Sequence, residues 1–172
     1  APVVIIGRTG HVAWGFTILG VDQQDLYVEE TDPADPNRYL HEGQWLTMQV
    51  ERELIQVKGK RGQPELFEAK TTMHGPVIYE DKTRHRAYAL RWVGAEAGGA
   101  GYMGSLNILQ AKNWNEFTQG VAKSWYLPSH SIVYADTKGN YGYLAAALSP
   151  IRKNWDGLMP VPGKDGKYEW EG

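Results

Sequence analysis

The chain has 172 residues, 42% of them hydrophobic and 22% charged, with a formal charge of -2. That is the composition of an ordinary globular protein, and the length suits a single domain over 1–172 that buries about two thirds of the surface its unfolded chain exposes. The charge lacks the basic excess that nucleic acid calls for, no apolar run approaches the roughly 18 to 20 residues of a membrane span, and the absence of cysteine excludes a thiol nucleophile, thiolate-bound zinc and disulfides while leaving the compartment open.

In chain order, β signals dominate. The β-branched run at 3–6 stops at Gly7 and Gly10, and residues 11–17 mix aromatic and β-branched side chains, so a hairpin is expected over 3–17. Residues 25–30 form a third strand, and the two prolines of 31–37 forbid a regular helix there. Residues 45–57 and 66–73, separated by the polar turn 59–64, read as a meander. Strands follow at 77–79 and 87–92, and the Gly/Ala-rich stretch 94–101 is a loop.

Helical spacing appears once with force. Trp114, Phe117 and Val121 recur at i, i+3 and i+7, with Asn113 as N-cap and Glu116 three residues on in capping-box position. A shorter helix is expected over 105–112. Residues 132–135 and 141–146 flank D-T-K-G-N, a five-residue turn whose glycine supplies a positive φ. The tail from Ser149 is rich in Pro, Gly and Trp and shows no regular period. The class is α+β: largely antiparallel sheet with one or two helices.

The chemistry-bearing residues are sparse. Asp22-Gln-Gln-Asp25 sets two carboxylates three residues apart around a carbonyl, a set of hard oxygen donors that by itself reads as a solvated turn. His74, before Gly75-Pro76, reads as a hydrogen-bonded structural residue rather than a general base. His11, His41, His85 and His130 stand at spacings that make no metal motif. Trp14, Trp92, Trp114 and Trp155 read as packing residues. No Ser/His/Asp set is spaced as a self-contained catalyst.

Five ordered motifs carry a resemblance: G-R-T-G-H-V-A-W-G-F-T with D-Q-Q-D-L-Y, then T-x-H-G-P-V, A-K-N-W-x-E-F, Y-A-D-x-x-G-N-x-G-Y, and P-V-P-G-x-D-G-x-Y-E-W-x-G. In that order they resemble the large subunit of penicillin amidases over nearly the whole chain. The resemblance implies part of a four-layer αββα N-terminal nucleophile hydrolase, cut from a precursor into small and large subunits. It implies hydrolysis of an acyl amide by a Ser at the start of the large subunit. That residue's own α-amino group, with an ordinary pKa of about 7.7 to 8.0, serves as the base.

Carried over position by position, the resemblance assigns the main-chain N–H of Ile18 to the oxyanion hole and Ile5, Ile6, Phe16, Ile18, Ser105 and His130 to the acyl pocket. It assigns Asp22, the carbonyl of Gln24 and Asp25 to a structural calcium ion. The nucleophile is expected upstream of this sequence, and an Asn donor and an Arg beyond Gly172, so the chain alone is expected to be inactive. The implied partners are the small subunit, the remaining large-subunit segments and a small N-acyl substrate, with no nucleic acid and no membrane. The implied location is periplasmic or secreted. The alternative is a non-catalytic β-rich binding or structural module, told apart by a closed, polar surface over 3–17 in place of an open, apolar one.

Overall fold

The computed structural model describes residues 4–59, 62–97 and 106–172. Twelve strands are described: β1 (Gly7–Arg8), β2 (Val12–Ile18), β3 (Gln24–Glu30), β4 (Arg38–His41), β5 (Gln44–Thr47), β6 (Gln49–Ile55), β7 (Glu65–Thr72), β8 (Gly75–Asp81), β9 (Arg86–Trp92), β10 (His130–Asp136), β11 (Tyr141–Ala146) and β12 (Val161–Pro162). One α-helix, α1 (Trp114–Ser124), accompanies them. The chain divides into two compact units, one of Ala1–Gln23 and Val93–Pro150, the other of Gln24–Trp92 and Ile151–Gly172.

In the first unit the sheet order is β1-β2-β10-β11, all antiparallel. The period-2 alternation of β2 and β10 sends Val12, Trp14, Ile132 and Tyr134 to one face, where they are buried with Phe117 and Val121 of α1 and with Ile108, Ala111, Trp125 and Ala146. Burying each large side chain is worth about 1.5–3 kcal/mol. Trp114 packs so closely on β11 that a Cβ at Gly142 would lie 2.7 Å from its ring.

The helix begins where the sequence places it. Asn113 caps it, its Oδ1 accepting the Glu116 N–H at 3.0 Å, and Glu116 Oε2 accepts the Lys112 N–H at 2.9 Å. The expected helix before it is a 3₁₀ stretch over 106–110. The hairpin β10/β11 closes through Asp136, whose Oδ1 accepts the N–H groups of Lys138 and Asn140. At the N-terminal hairpin the structure differs from expectation: residues 4–6 are not strand, β1 is only Gly7–Arg8, and Thr9 Oγ1 forms the turn by accepting from the His11 and Val12 N–H groups.

The second unit carries a six-stranded sheet in the order β12-β3-β9-β8-β7-β6 and the small hairpin β4/β5. Only β12 and β3 run parallel among these described pairs. The expected strand 45–57 is split at Met48, which is buried and turns its N–H away to the carbonyl of Asn37 (2.8 Å). Buried apolar groups here fall into two small clusters, Tyr27, Ala89 and Val161 in one, Tyr39, Met48 and Ala87 in the other. Polar side chains join them inside: Asp25, Glu29, Thr31, Thr72 and His74 are all buried.

Candidate functional site

In the first unit, β2 ends at Ile18, which pairs with His130 across the ladder. Backbone N–H groups on a strand alternate sides. The Leu19 N–H donates to the Ser129 carbonyl at 3.3 Å, on the β10 side. On the other side Val12 accepts from the Thr9 N–H at 2.8 Å. By that parity the Ile18 N–H points away from β10, toward the flank where β1 pairs with Ala13 and Trp14 alone. The Ile18 side chain is 85% exposed. This N–H lies at the end of a sheet edge, the place from which a backbone group can donate to something other than a strand.

Beside it, the register sets Phe16 diagonal to His130. Their rings meet edge to face with centroids 5.4 Å apart, and both meet Trp125, Phe16 at 4.7 Å and His130 at 5.5 Å. His130 Nδ1 lies 2.8 Å from the Ser129 carbonyl, which can only accept, so Nδ1 carries a proton and donates. Trp125 Nε1 donates to the Pro128 carbonyl at 2.9 Å, which fixes that ring. Of the expected pocket residues the structure thus brings Phe16 and His130 together. Ile5 and Ile6 are exposed at 53% and 72%, which leaves the stretch before β1 open and apolar. Ser105 lies outside the described residues. Trp125 was not among the expected residues, although its place four positions after Val121 continues the apolar face of α1.

The 22–25 run divides by environment. Asp22 is exposed and its carbonyl is approached by Ser149 Oγ at 3.5 Å. In the second unit Asp25 is buried, and its Oδ2 accepts from Arg152 Nε at 2.8 Å and from Trp170 Nε1 at 2.6 Å. Its Oδ1 is buried with no hydrogen-bond partner among the described residues. The Gln24 carbonyl faces Arg152 Nη2 at 3.5 Å. A buried carboxylate oxygen without a donor is what a hard cation would satisfy, so Asp25 fits a calcium ligand in its chemistry.

The second unit also holds a polar network that no spacing in the sequence announces. His74, in the turn between β7 and β8, is fully buried between two carboxylates, with Nδ1 2.7 Å from Glu29 Oε1 and Nε2 2.7 Å from Glu169 Oε1. Thr72 Oγ1 donates to the same Glu29 oxygen at 2.8 Å, and Arg91 Nη1 donates to Glu169 Oε2 at 3.0 Å. Tyr27 stacks on the imidazole at 4.0 Å with planes 5° apart. Burial alone pushes the His74 pKa down, but hydrogen bonds to Glu169 and Glu29 outweigh it and raise it to about 8. The same hydrogen bond to His74 holds Glu169 below the usual carboxylate range. Burial pushes the Tyr27 hydroxyl up to about 12. His74 is thus hydrogen-bonded through both ring nitrogens, and its partners come from segments too distant in sequence to be paired by inspection.

Comparison with known proteins gives one consistent answer. The family model described as penicillin amidase matches residues 1–172. Penicillin G acylase of Escherichia coli is 36% identical over 179 residues, covering 99% of this chain and 20% of that protein. An acyl-homoserine lactone acylase, QuiP, of Pseudomonas aeruginosa is 31% identical over 185 residues, covering 99% of the chain and 21% of that protein. Among solved structures, a thermostable penicillin G acylase from Alcaligenes faecalis superposes with a TM-score of 0.90 at 32% identity, covering 100% of this chain and 30% of that one. The chain spans about a fifth of the length of the curated relatives it matches.

Proposed function

The chain belongs to the penicillin amidase family, and from that premise we propose that it forms part of the large subunit of an N-terminal serine amidohydrolase that cleaves an acyl amide. The nucleophile lies outside these residues. Its hydroxyl oxygen attacks the substrate carbonyl while its proton passes to the α-amino group. The tetrahedral oxyanion collapses with release of the amine, which takes that proton, and water then hydrolyses the ester. In this scheme the Ile18 N–H donates to the oxyanion, and Phe16 and His130, with Ile5, Ile6 and Ser105, wall the acyl pocket. An apolar, aromatic wall suits an aryl or aliphatic acyl group over a charged one.

The observation that carries the proposal is the direction of the Ile18 N–H, away from β10 and beyond the reach of the β1 pairing. The relatives support the same chemistry, since one is a penicillin G acylase and another an acyl-homoserine lactone acylase. A structural calcium ion belongs to the proposal, supported by Asp25, whose Oδ1 is buried without a hydrogen-bond partner among the described residues. So do cleavage of a precursor, assembly with a small subunit and the other large-subunit segments, and a periplasmic or secreted location.

The test uses the full-length protein. Intact mass and N-terminal sequencing are expected to find two chains, the larger beginning with Ser. On penicillin G and an acyl-homoserine lactone, Ile18→Pro, which deletes the N–H at an edge position where proline is tolerated, is expected to lower kcat by about 10²–10³. Ile18→Val, which keeps the N–H, is expected to leave it unchanged. A single chain with no Ser terminus, or an Ile18→Pro enzyme as active as the parent, overturns the proposal.

A further inference from the structure

We propose that His41, His74 and Glu169, in the second unit, form a binding site for a transition metal, Zn²⁺ in the first instance. Each offers one ligand atom, and the three atoms lie within 4.8 Å of one another. His41 closes β4, His74 sits in the β7–β8 turn and Glu169 comes from the tail, so the site assembles only when three separate segments have docked.

The orientation of the imidazoles is the argument. His41 Nδ1 lies 2.9 Å from the Gly163 carbonyl, an acceptor, and His74 Nδ1 lies 2.7 Å from Glu29 Oε1. With both Nδ1 positions committed as donors, each ring presents Nε2 to the cluster. Metal-ligating histidines carry this signature: the far ring nitrogen donates to a carboxylate or a main-chain carbonyl, fixing the tautomer and raising ligand basicity. Here one ring has each kind of partner. Glu29 is itself held by Thr72 Oγ1 at 2.8 Å, and Glu169 by Arg91 on Oε2, which leaves Glu169 Oε1 as the inward atom.

Geometry and charge agree with a small, borderline-soft cation. Without metal, a proton bridges His74 Nε2 and Glu169 Oε1 at 2.7 Å. Zinc bonded at about 2.0–2.2 Å to each donor holds tetrahedral ligand atoms about 3.3 Å apart. The shared proton leaves, that pair opens slightly and His41 closes in. Two imidazoles and one carboxylate select zinc over calcium or magnesium, which want oxygen sets. Glu29 is fully buried with Oε2 lacking a hydrogen-bond partner among the described residues, and Arg91 is bonded to Glu169, so a cation at the cluster takes the place of the proton that His74 shares. A Cβ at Gly163 would lie 2.2 Å from that oxygen, so only glycine lets the chain pass and set its carbonyl against His41. The half-buried His41 and Glu169 leave the fourth position accessible to water.

The test is a calorimetric Zn²⁺ titration of the chelator-treated full-length protein near neutral pH, with saturating Ca²⁺ present to fill any oxygen-ligand site. One zinc per chain is expected, and Co²⁺ in its place is expected to give the visible absorption of a tetrahedral centre with nitrogen ligands. His41→Ala, at a half-exposed position, and the volume-keeping His41→Gln are each expected to weaken zinc binding at least about tenfold. Glu29→Gln, which changes the acceptor that orients His74 without removing a ligand atom, is expected to weaken it about 10–100-fold. No saturable zinc binding, or zinc affinity in both His41 variants equal to that of the parent protein, overturns the proposal and leaves a purely proton-linked cluster. Hydrolytic activity is not the readout, so failure here is separable from failure of the amidase scheme.

Discussion

In the unit that holds α1, the interior is built on Val12, Trp14, Phe117, Val121, Ile132 and Tyr134, with no buried charged side chain among the described residues. In the other, the interior includes Asp25, Glu29 and His74, and the apolar clusters around them are small. Apolar burial is non-directional and, to first order, indifferent to pH. A buried ionic network gains its energy only when every partner is present and in the right protonation state. The lesson is that two units of one short chain answer to different variables, volume in the first and protons in the second. Local hydrogen exchange in the full-length protein can read each separately.

The largest expected effect is Phe117→Ala, which empties a fully buried site and is expected to cost about 3–5 kcal/mol. Mass-spectrometric hydrogen exchange should show the loss in 114–124 and 130–136, equal at mildly acid and mildly alkaline pH. Spread of the same loss into 24–30 would break the contrast. Next comes pH itself in chelator-treated protein. His74 has its folded pKa raised from 6.5 to about 8, so its contribution is full below about 6.5 and is lost as pH rises through about 8. That rise corresponds to about 2 kcal/mol. Glu169 is shifted the opposite way, so its contribution is present above the ordinary carboxylate range and is lost as pH falls. Protection of 24–30 and 72–76, corrected for intrinsic exchange, should therefore fall on the alkaline side while that of 114–124 stays level. A flat profile in 72–76 between about pH 6 and 9 would contradict it. The smallest effect is Asn113→Ala, which removes the side-chain acceptor at the start of α1 and is expected to cost about 1 kcal/mol. It should fray the first turn alone. Unchanged exchange at Asn115 and Glu116 would show that sheet packing, not the cap, holds that turn.

What the sequence made legible was local. The helix could be read because its cap, period and apolar face lie within one dozen residues, and the β10/β11 hairpin because Asp136 and Gly139 write the turn. The split at Met48 was not legible, since its cause is a hydrogen bond to Asn37 across a turn. Strand β4 is short and carries Arg38 and His41 among its residues, so no alternation betrays it, and β12 hides in a proline-rich tail. At the candidate site, the meeting of Phe16 with His130 depends on a register across more than a hundred residues and came from the family motifs rather than from periodicity. The His74 network had no signal at all: its carboxylates lie 45 and 95 residues away.

The chain passes from one unit to the other at Gln23, again at Trp92 and again at Pro150, and this has a consequence for how the molecule is made. Strand β2, which carries Ile18, leaves the ribosome before β10 and finds that partner only after the whole of β3 to β9 has followed. The strands from β3 to β9 pair among near neighbours and can close first, because short loops cost less entropy. Until His130 appears, the β10-facing edge of β2 waits unpaired, with exposed Ile5, Ile6 and Ile18 in the same segment. The segment proposed to donate to the oxyanion is therefore one that needs shelter while the chain is growing.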